Sequence, residues 1–258
     1  GPSAADILGN PNYQAISYGG YRAISRDTVP SVDQIKDDMR ILSAMDVKIL
    51  RTYNTELAEL PNLLQAITEL KQEDSSFEMY VMVGAWINCK DAWTDHPDHT
   101  QEDEPYNEAE VQRAVQYAKQ YPDIVKMIAV GNEAMVHWAT SYFVPPSVIL
   151  KWVNYLQDLK KEGDLPSDLW ITSSDDFAAW GGASDNYHTE DLNRLITAVD
   201  FISMHTYAFH NSHYSPDYWY SRDPSLSKIE QIDASIHCVT NLLKIFFRSL
   251  PSHLRIFA

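Results

Sequence analysis

Six short apolar runs, each followed by a stretch with helical periodicity, constrain this chain more than any other feature in it. The first run is Gln14 to Tyr18. Ser31 to Met45 follows, with Val32, Ile35, Met39 and Leu42 at helical spacing and Ser31 and Gln34 in a capping-box pattern. Val47 to Tyr53 and Met79 to Trp86 are the second and third runs, separated by a helix over Glu59 to Lys71. Asn88 to Tyr106 reads as a polar loop, and Asn107 to Gln120 as a helix with Asn107 and Glu110 as its capping pair. The fourth run, Val125 to Gly131, precedes a helix over Pro146 to Lys161. The fifth, Leu169 to Ser173, precedes one over Thr189 to Ala198. The sixth, Val199 to Tyr207, precedes one over Leu226 to Ser249, and Leu254 to Phe257 begins a seventh.

Strands that are apolar throughout and alternate with helices predict a parallel sheet covered by helices. Right-handed β/α repeats close into a barrel or spread into a doubly wound open sheet. Tyr18-Gly19-Gly20-Tyr21 does not match G-x-G-x-x-G, which argues against a dinucleotide fold. The expected fold class is α/β, a (β/α)8 TIM barrel cut short after about six β/α units. With no internal repeat and no low-complexity linker, residues 1–258 read as one domain, with strands seven and eight not present.

The chain has a formal net charge of −16, which repels a polyanion and excludes nucleic acid as the expected partner. An uncharged polymer is indifferent to it. Cys89 and Cys238 cannot build a disulfide framework and read as two unrelated free thiols. No run approaches the roughly 20 apolar residues that a membrane span needs. Gly1-Pro2-Ser3 reads as the scar of a protease cleavage, so a natural leader is expected to have been removed.

In a barrel, function gathers just beyond the C-terminal ends of the strands. The polar residues there are Tyr18, Arg51, Tyr53, Asn54, Trp86, Asn88, Asn132, Glu133, Asp175, Asp176, His205 and Tyr207. Glu133 follows Met127 to Gly131, a run that must be a buried strand. Partial desolvation there raises a carboxyl pKa, as a general acid for glycosidic cleavage requires. Glu133 equally fits a structural partner for Arg51 or a helix cap. Asn132 suits a bond to a sugar 2-hydroxyl. Asp95-His96-Pro97-Asp98-His99 crowds carboxylates and imidazoles, but its spacing matches no zinc motif and it reads as a solvated loop. No metal and no cofactor is expected.

Ile128-Ala129-Val130-Gly131-Asn132-Glu133-Ala134 resembles the strand-four signature of clan A glycosidases, where Asn-Glu supplies the acid/base. Together with Gly131 to Trp138, Trp170 to Asp175 and Ile202 to Tyr207, it resembles the bacterial family 17 β-1,3-glucanases, from about Ile16 to the last residues. The resemblance implies a retaining endo-β-1,3-glucanase acting on laminarin-type glucan, with Glu133 as acid/base and a second Glu, on strand seven, as nucleophile. A β-1,3-glucosyltransferase using the same residues, or a non-catalytic β-glucan-binding protein, are the alternatives. No Glu follows His205 except Glu230, so the chain is expected to lack the nucleophile and to be inactive alone; a second chain or a C-terminal fragment would complete the barrel. Asp175 and Asp176 read as sugar-binding or turn-capping residues rather than as that nucleophile. Tyr53, Trp86 and Tyr207, with Trp180 or Trp219 beside them, suit stacking on glucose rings. Trp152, Tyr155, Phe246 and Phe247 read as core. His205 suits a bond to the nucleophile or to a sugar hydroxyl, or a place in the core. A polymeric substrate implies a secreted, periplasmic or cell-surface location.

Overall fold

A computed structural model describes residues 1–19, 28–182, 184–205 and 255–257, and the apolar runs at the centre of the sheet become strands whose side chains are buried on both faces, whereas the first run is largely exposed. After a short helix α1 (Ala4–Ile7), the elements are β1 (Gln14–Ser17), α2 (Val32–Ala44), β2 (Val47–Arg51), α3 (Glu59–Glu73) and β3 (Tyr80–Ala85). Then come β4 (Cys89–Lys90), β5 (Asp98–Glu102), α4 (Glu104–Gln120), β6 (Val125–Asn132), α5 (Pro146–Glu162) and β7 (Trp170–Asp176). Two irregular turns lead to α6 (Glu190–Ala198), β8 (Phe201–His205) and β9 (Arg255–Phe257). Seven strands form one sheet in the order β1-β2-β3-β6-β7-β8-β9, and β4 and β5 form a separate pair. The chain divides into two compact units, Gly1–Trp86 with Glu104–Val130 and Tyr155–Ile171, and Ile87–Asp103 with Gly131–Asn154 and Thr172–Ala258.

In the first unit the pairings β1–β2, β2–β3 and β3–β6 are all parallel, with Leu50 opposite Val81 and Val83 opposite Ile128. All six residues of β3 are buried. Helix α3 buries Leu60, Leu63, Leu64, Ile67 and Leu70, the stripe read from the sequence. Helix α2 starts at the expected box: the Gln34 amide donates to Ser31 Oγ and the Ser31 amide to Gln34 Oε1. A Cβ at Gly84 would lie 2.2 Å from the Thr52 carbonyl oxygen, so only glycine lets β3 pass this close to the end of β2.

Helix α4 corrects one expectation. It begins at Glu104, three residues earlier than predicted, and Asn107 and Glu110 lie inside it, fully buried. Glu110 does not cap: its Oε2 accepts from the Thr55 amide at 2.7 Å, the Thr55 hydroxyl at 2.5 Å and the Trp86 amide at 3.2 Å. An N-x-x-E spacing fits a helix start and an interior turn alike; burial of the carboxylate against loop donors decides between them.

The second unit contains a hairpin where a polar loop was expected. Cys89 pairs antiparallel with Glu102 and Lys90 with Asp98. The pair carries no apolar alternation to betray it; it is anchored through Glu102, which takes the Trp152 indole N–H at 2.8 Å and the Lys151 ammonium. Strand β7 runs to Asp176, because Ser174, Asp175 and Asp176 pair in parallel with Ser203, Met204 and His205. β9 in turn pairs in parallel with β8. Trp180, entertained as a sugar contact, is wholly buried with its indole N–H on the Ser203 carbonyl, and so belongs to the core. Trp152 is core as expected, whereas Tyr155 is only half-buried, its hydroxyl accepting from Gln112. Phe246 and Phe247 lie outside the described residues.

Candidate active site

Strand β6 ends in a sharp turn built from Gly131, Asn132 and Glu133. Gly131 has φ +80°, and a Cβ there would stand 2.9 Å from the Ala134 methyl and 3.1 Å from Ile149 Cδ1, so the position accepts only glycine. Glu133 itself has φ +47°, a left-handed conformation that costs a non-glycine residue roughly 1–2 kcal/mol. Two hydrogen bonds hold it there. The Glu133 amide donates to the Ser174 carbonyl at 2.8 Å, and the Met135 amide donates to Asp175 Oδ2 at 2.7 Å. The Val144 amide closes the loop onto the Ala134 carbonyl at 2.8 Å.

Asp175 is fully buried, and its other oxygen accepts its neighbour Asp176's amide at 2.7 Å. Burial pushes its carboxyl well above the usual carboxylate range; the amide donors of Met135 and Asp176 pull the other way, and the negative charges of Asp176 and Glu133 add to the rise. Both oxygens thus serve the turn under Glu133. This placement differs from the sugar contact expected of Asp175. Asp176 is buried as well, and its Oδ1 accepts the Ala178 amide at 2.9 Å.

The Glu133 side chain is 20% exposed and its Oε1 lies 3.1 Å from Nδ1 of His205, itself 14% exposed. An imidazole donating through Nδ1 fixes the carboxylate's orientation at the C-terminal end of the strand. His205 is carried on β8, and its carbonyl accepts the Phe177 amide at 3.0 Å. Arg51, the alternative partner for Glu133, instead donates to Ser17 Oγ at 3.2 Å. Asn132 Oδ1 is buried with no hydrogen-bond partner among the described residues.

The structure brings Asn132, Glu133, Asp175 and His205 together within the second unit. Tyr53 and Trp86 belong to the first unit, half-buried at the ends of β2 and β3, where Glu110 holds the Trp86 amide. Tyr207 and Trp219 lie outside the described residues. Sequence reasoning missed Tyr142, whose hydroxyl donates to the Asn132 carbonyl at 3.5 Å. It also missed Trp93 as an exposed ring. Among the described residues no group of three or more His, Cys, Asp or Glu side chains is placed to hold a metal. In the Asp95 to His99 segment, Asp98 accepts from Thr100 and His99 Nδ1 donates to the Phe143 carbonyl. Among the described residues no helix is long and apolar enough to cross a membrane.

The profile of the BtgE/BtgC glycoside hydrolase domain matches residues 15–232. An endo-laminarinase from Formosa Hel1_33_131 is 55% identical, with a TM-score of 0.87 over 99% of this chain and 67% of its own. A β-1,3-glucanase and allergen of Cryptomeria japonica pollen has the same fold at 14% identity, with a TM-score of 0.58 over 94% of this chain and 72% of its own. A structure of plant β-glucan endohydrolases shares it at 13% identity, with a TM-score of 0.56 over 95% of this chain and 75% of its own. No curated protein matches the chain. Its parallel sheet and helices are those of a (β/α)8-barrel glycoside hydrolase, and the chain belongs to the BtgE/BtgC glycoside hydrolase family.

Proposed function

We propose that this domain cleaves β-1,3-glucan of the laminarin type with retention of configuration, Glu133 acting as acid/base. One observation carries the reading: a carboxylate locked at the end of β6 by His205, in a chain 55% identical to an endo-laminarinase. Glu133 first protonates the leaving glycosidic oxygen. It then takes a proton from the water that resolves the glycosyl-enzyme. Asn132 Oδ1 accepts the 2-hydroxyl of the reacting glucose, a contact that strengthens as positive charge grows on the ring. Asp175 and Asp176, buried and bonded to backbone amides, are not the nucleophile; that role falls to a further carboxylate about 5 Å away, as retention requires. Tyr53, Trp86 and Tyr207 are proposed sugar contacts, and residues 1–258 are read as part of one catalytic domain. A polymeric substrate places the activity outside the cytoplasm.

The test is Glu133→Gln in the full-length protein, assayed on laminarin by reducing-end release. A loss of about 10²–10⁴ in kcat is expected. On an aryl glucoside whose leaving group needs no protonation, kcat/KM, which reports only formation of the glycosyl-enzyme, should fall far less. A Glu133→Gln variant cleaving laminarin at near wild-type rate would remove Glu133 from the mechanism.

A further inference from the structure

Two of the large hydrophobic side chains exposed among the described residues are indoles, Trp93 at 62% and Trp138 at 40%. An exposed aromatic alone means little. Trp93 is distinguished by how firmly it is held. Its backbone is left-handed at φ +65°, two residues after Asp91 at φ +55°, a conformation that a bulky residue keeps only when its surroundings impose it. Its amide donates to the Ser141 carbonyl at 2.9 Å and its indole N–H to Asn88 Oδ1 at 3.2 Å. One face of the ring stacks on Tyr142, with centroids 5.2 Å apart and planes 24° from parallel. Held in this way, the residue still presents most of its surface to solvent.

Tyr142 ties this platform to the reacting end of β6. Its hydroxyl donates to the carbonyl of Asn132, the residue before Glu133, and its own carbonyl accepts the Cys89 amide at 3.0 Å. The rings and the acid/base turn therefore belong to one hydrogen-bonded assembly inside the second unit. A β-linked glucose carries its hydroxyls equatorially and turns axial C–H bonds to both faces, so it presents a flat apolar surface to an aromatic ring. A ring already immobilised loses little freedom when such a surface settles on it.

We propose that Trp93, backed by Tyr142, is a stacking subsite for a glucose residue of the bound glucan away from the cleaved linkage. This rests on the glucanase reading above. The consequence is a chain-length preference: long substrates reach the platform and short ones do not.

The experiment compares kcat/KM on laminarin and on laminaritriose for the full-length wild type, Trp93→Ala and Trp93→Phe. In Trp93→Ala the long-over-short ratio should fall about three- to tenfold, through KM on laminarin. Trp93→Phe keeps a stacking face and should retain most of the ratio. A ratio unmoved by Trp93→Ala, or one lost equally in Ala and Phe variants, overturns the subsite while leaving the glucanase reading intact. A wild type that cleaves neither substrate overturns both.

Discussion

At Glu133 the conformation is imposed by its neighbours: φ +47° persists because Ser174 and Asp175 take the amides on either side of Ala134. Asp175 has a pH signature. Burial holds its carboxyl above the ordinary range, so over the interval from about pH 4 up to the raised value the folded protein binds a proton that the unfolded chain releases. Its contribution to stability is complete below the ordinary carboxylate pKa and is lost as pH rises through the raised one. Replacing it by Asn removes that proton. The prediction is that melting temperature falls less steeply with rising pH in Asp175→Asn than in the wild type; equal slopes would mean that Asp175 titrates normally. Glu133 was legible in the sequence because Met127 to Gly131 has to be a buried strand, and the first polar residues after it must stand at its end. The service of Asp175 was not, because it depends on β7 pairing with β8 as far as His205, a contact between residues distant in the chain.

The elements themselves were read closely where a local rule governs them. Ser31 and Gln34 start α2 through their own hydrogen bonds, and the Leu60 to Leu70 stripe needs only its periodicity. The start of α4 and the β4–β5 hairpin escaped because long-range partners define them. Glu110 is the clearest case, a carboxylate within a helix that satisfies amides at Thr55 and Trp86. Truncating it to Ala leaves those donors without an acceptor. Glu110→Ala should cost about 2–4 kcal/mol in urea denaturation. A change below about 0.5 kcal/mol, the usual size of a surface substitution, would show that water replaces the carboxylate freely.

For the molecule as a whole, a net charge of −16 separates neutral from acidic substrates. Screening has nothing to act on when the glucan is uncharged. kcat/KM on laminarin should therefore change by less than about twofold between roughly 0.05 and 0.5 M NaCl. Carboxymethylated β-1,3-glucan is repelled at low salt, and its kcat/KM should rise several-fold over the same range. A flat response to salt on the carboxymethylated polymer would mean that the charge lies far from where the chain binds.

The turn that carries Glu133 has one more consequence. Its backbone donors at Glu133, Met135 and Val144 are all engaged within the protein. These donors hold the turn in shape before a sugar arrives. The entropy of shaping it was lost when the chain folded, so binding energy from the glucan is free to distort the ring at the cleaved bond.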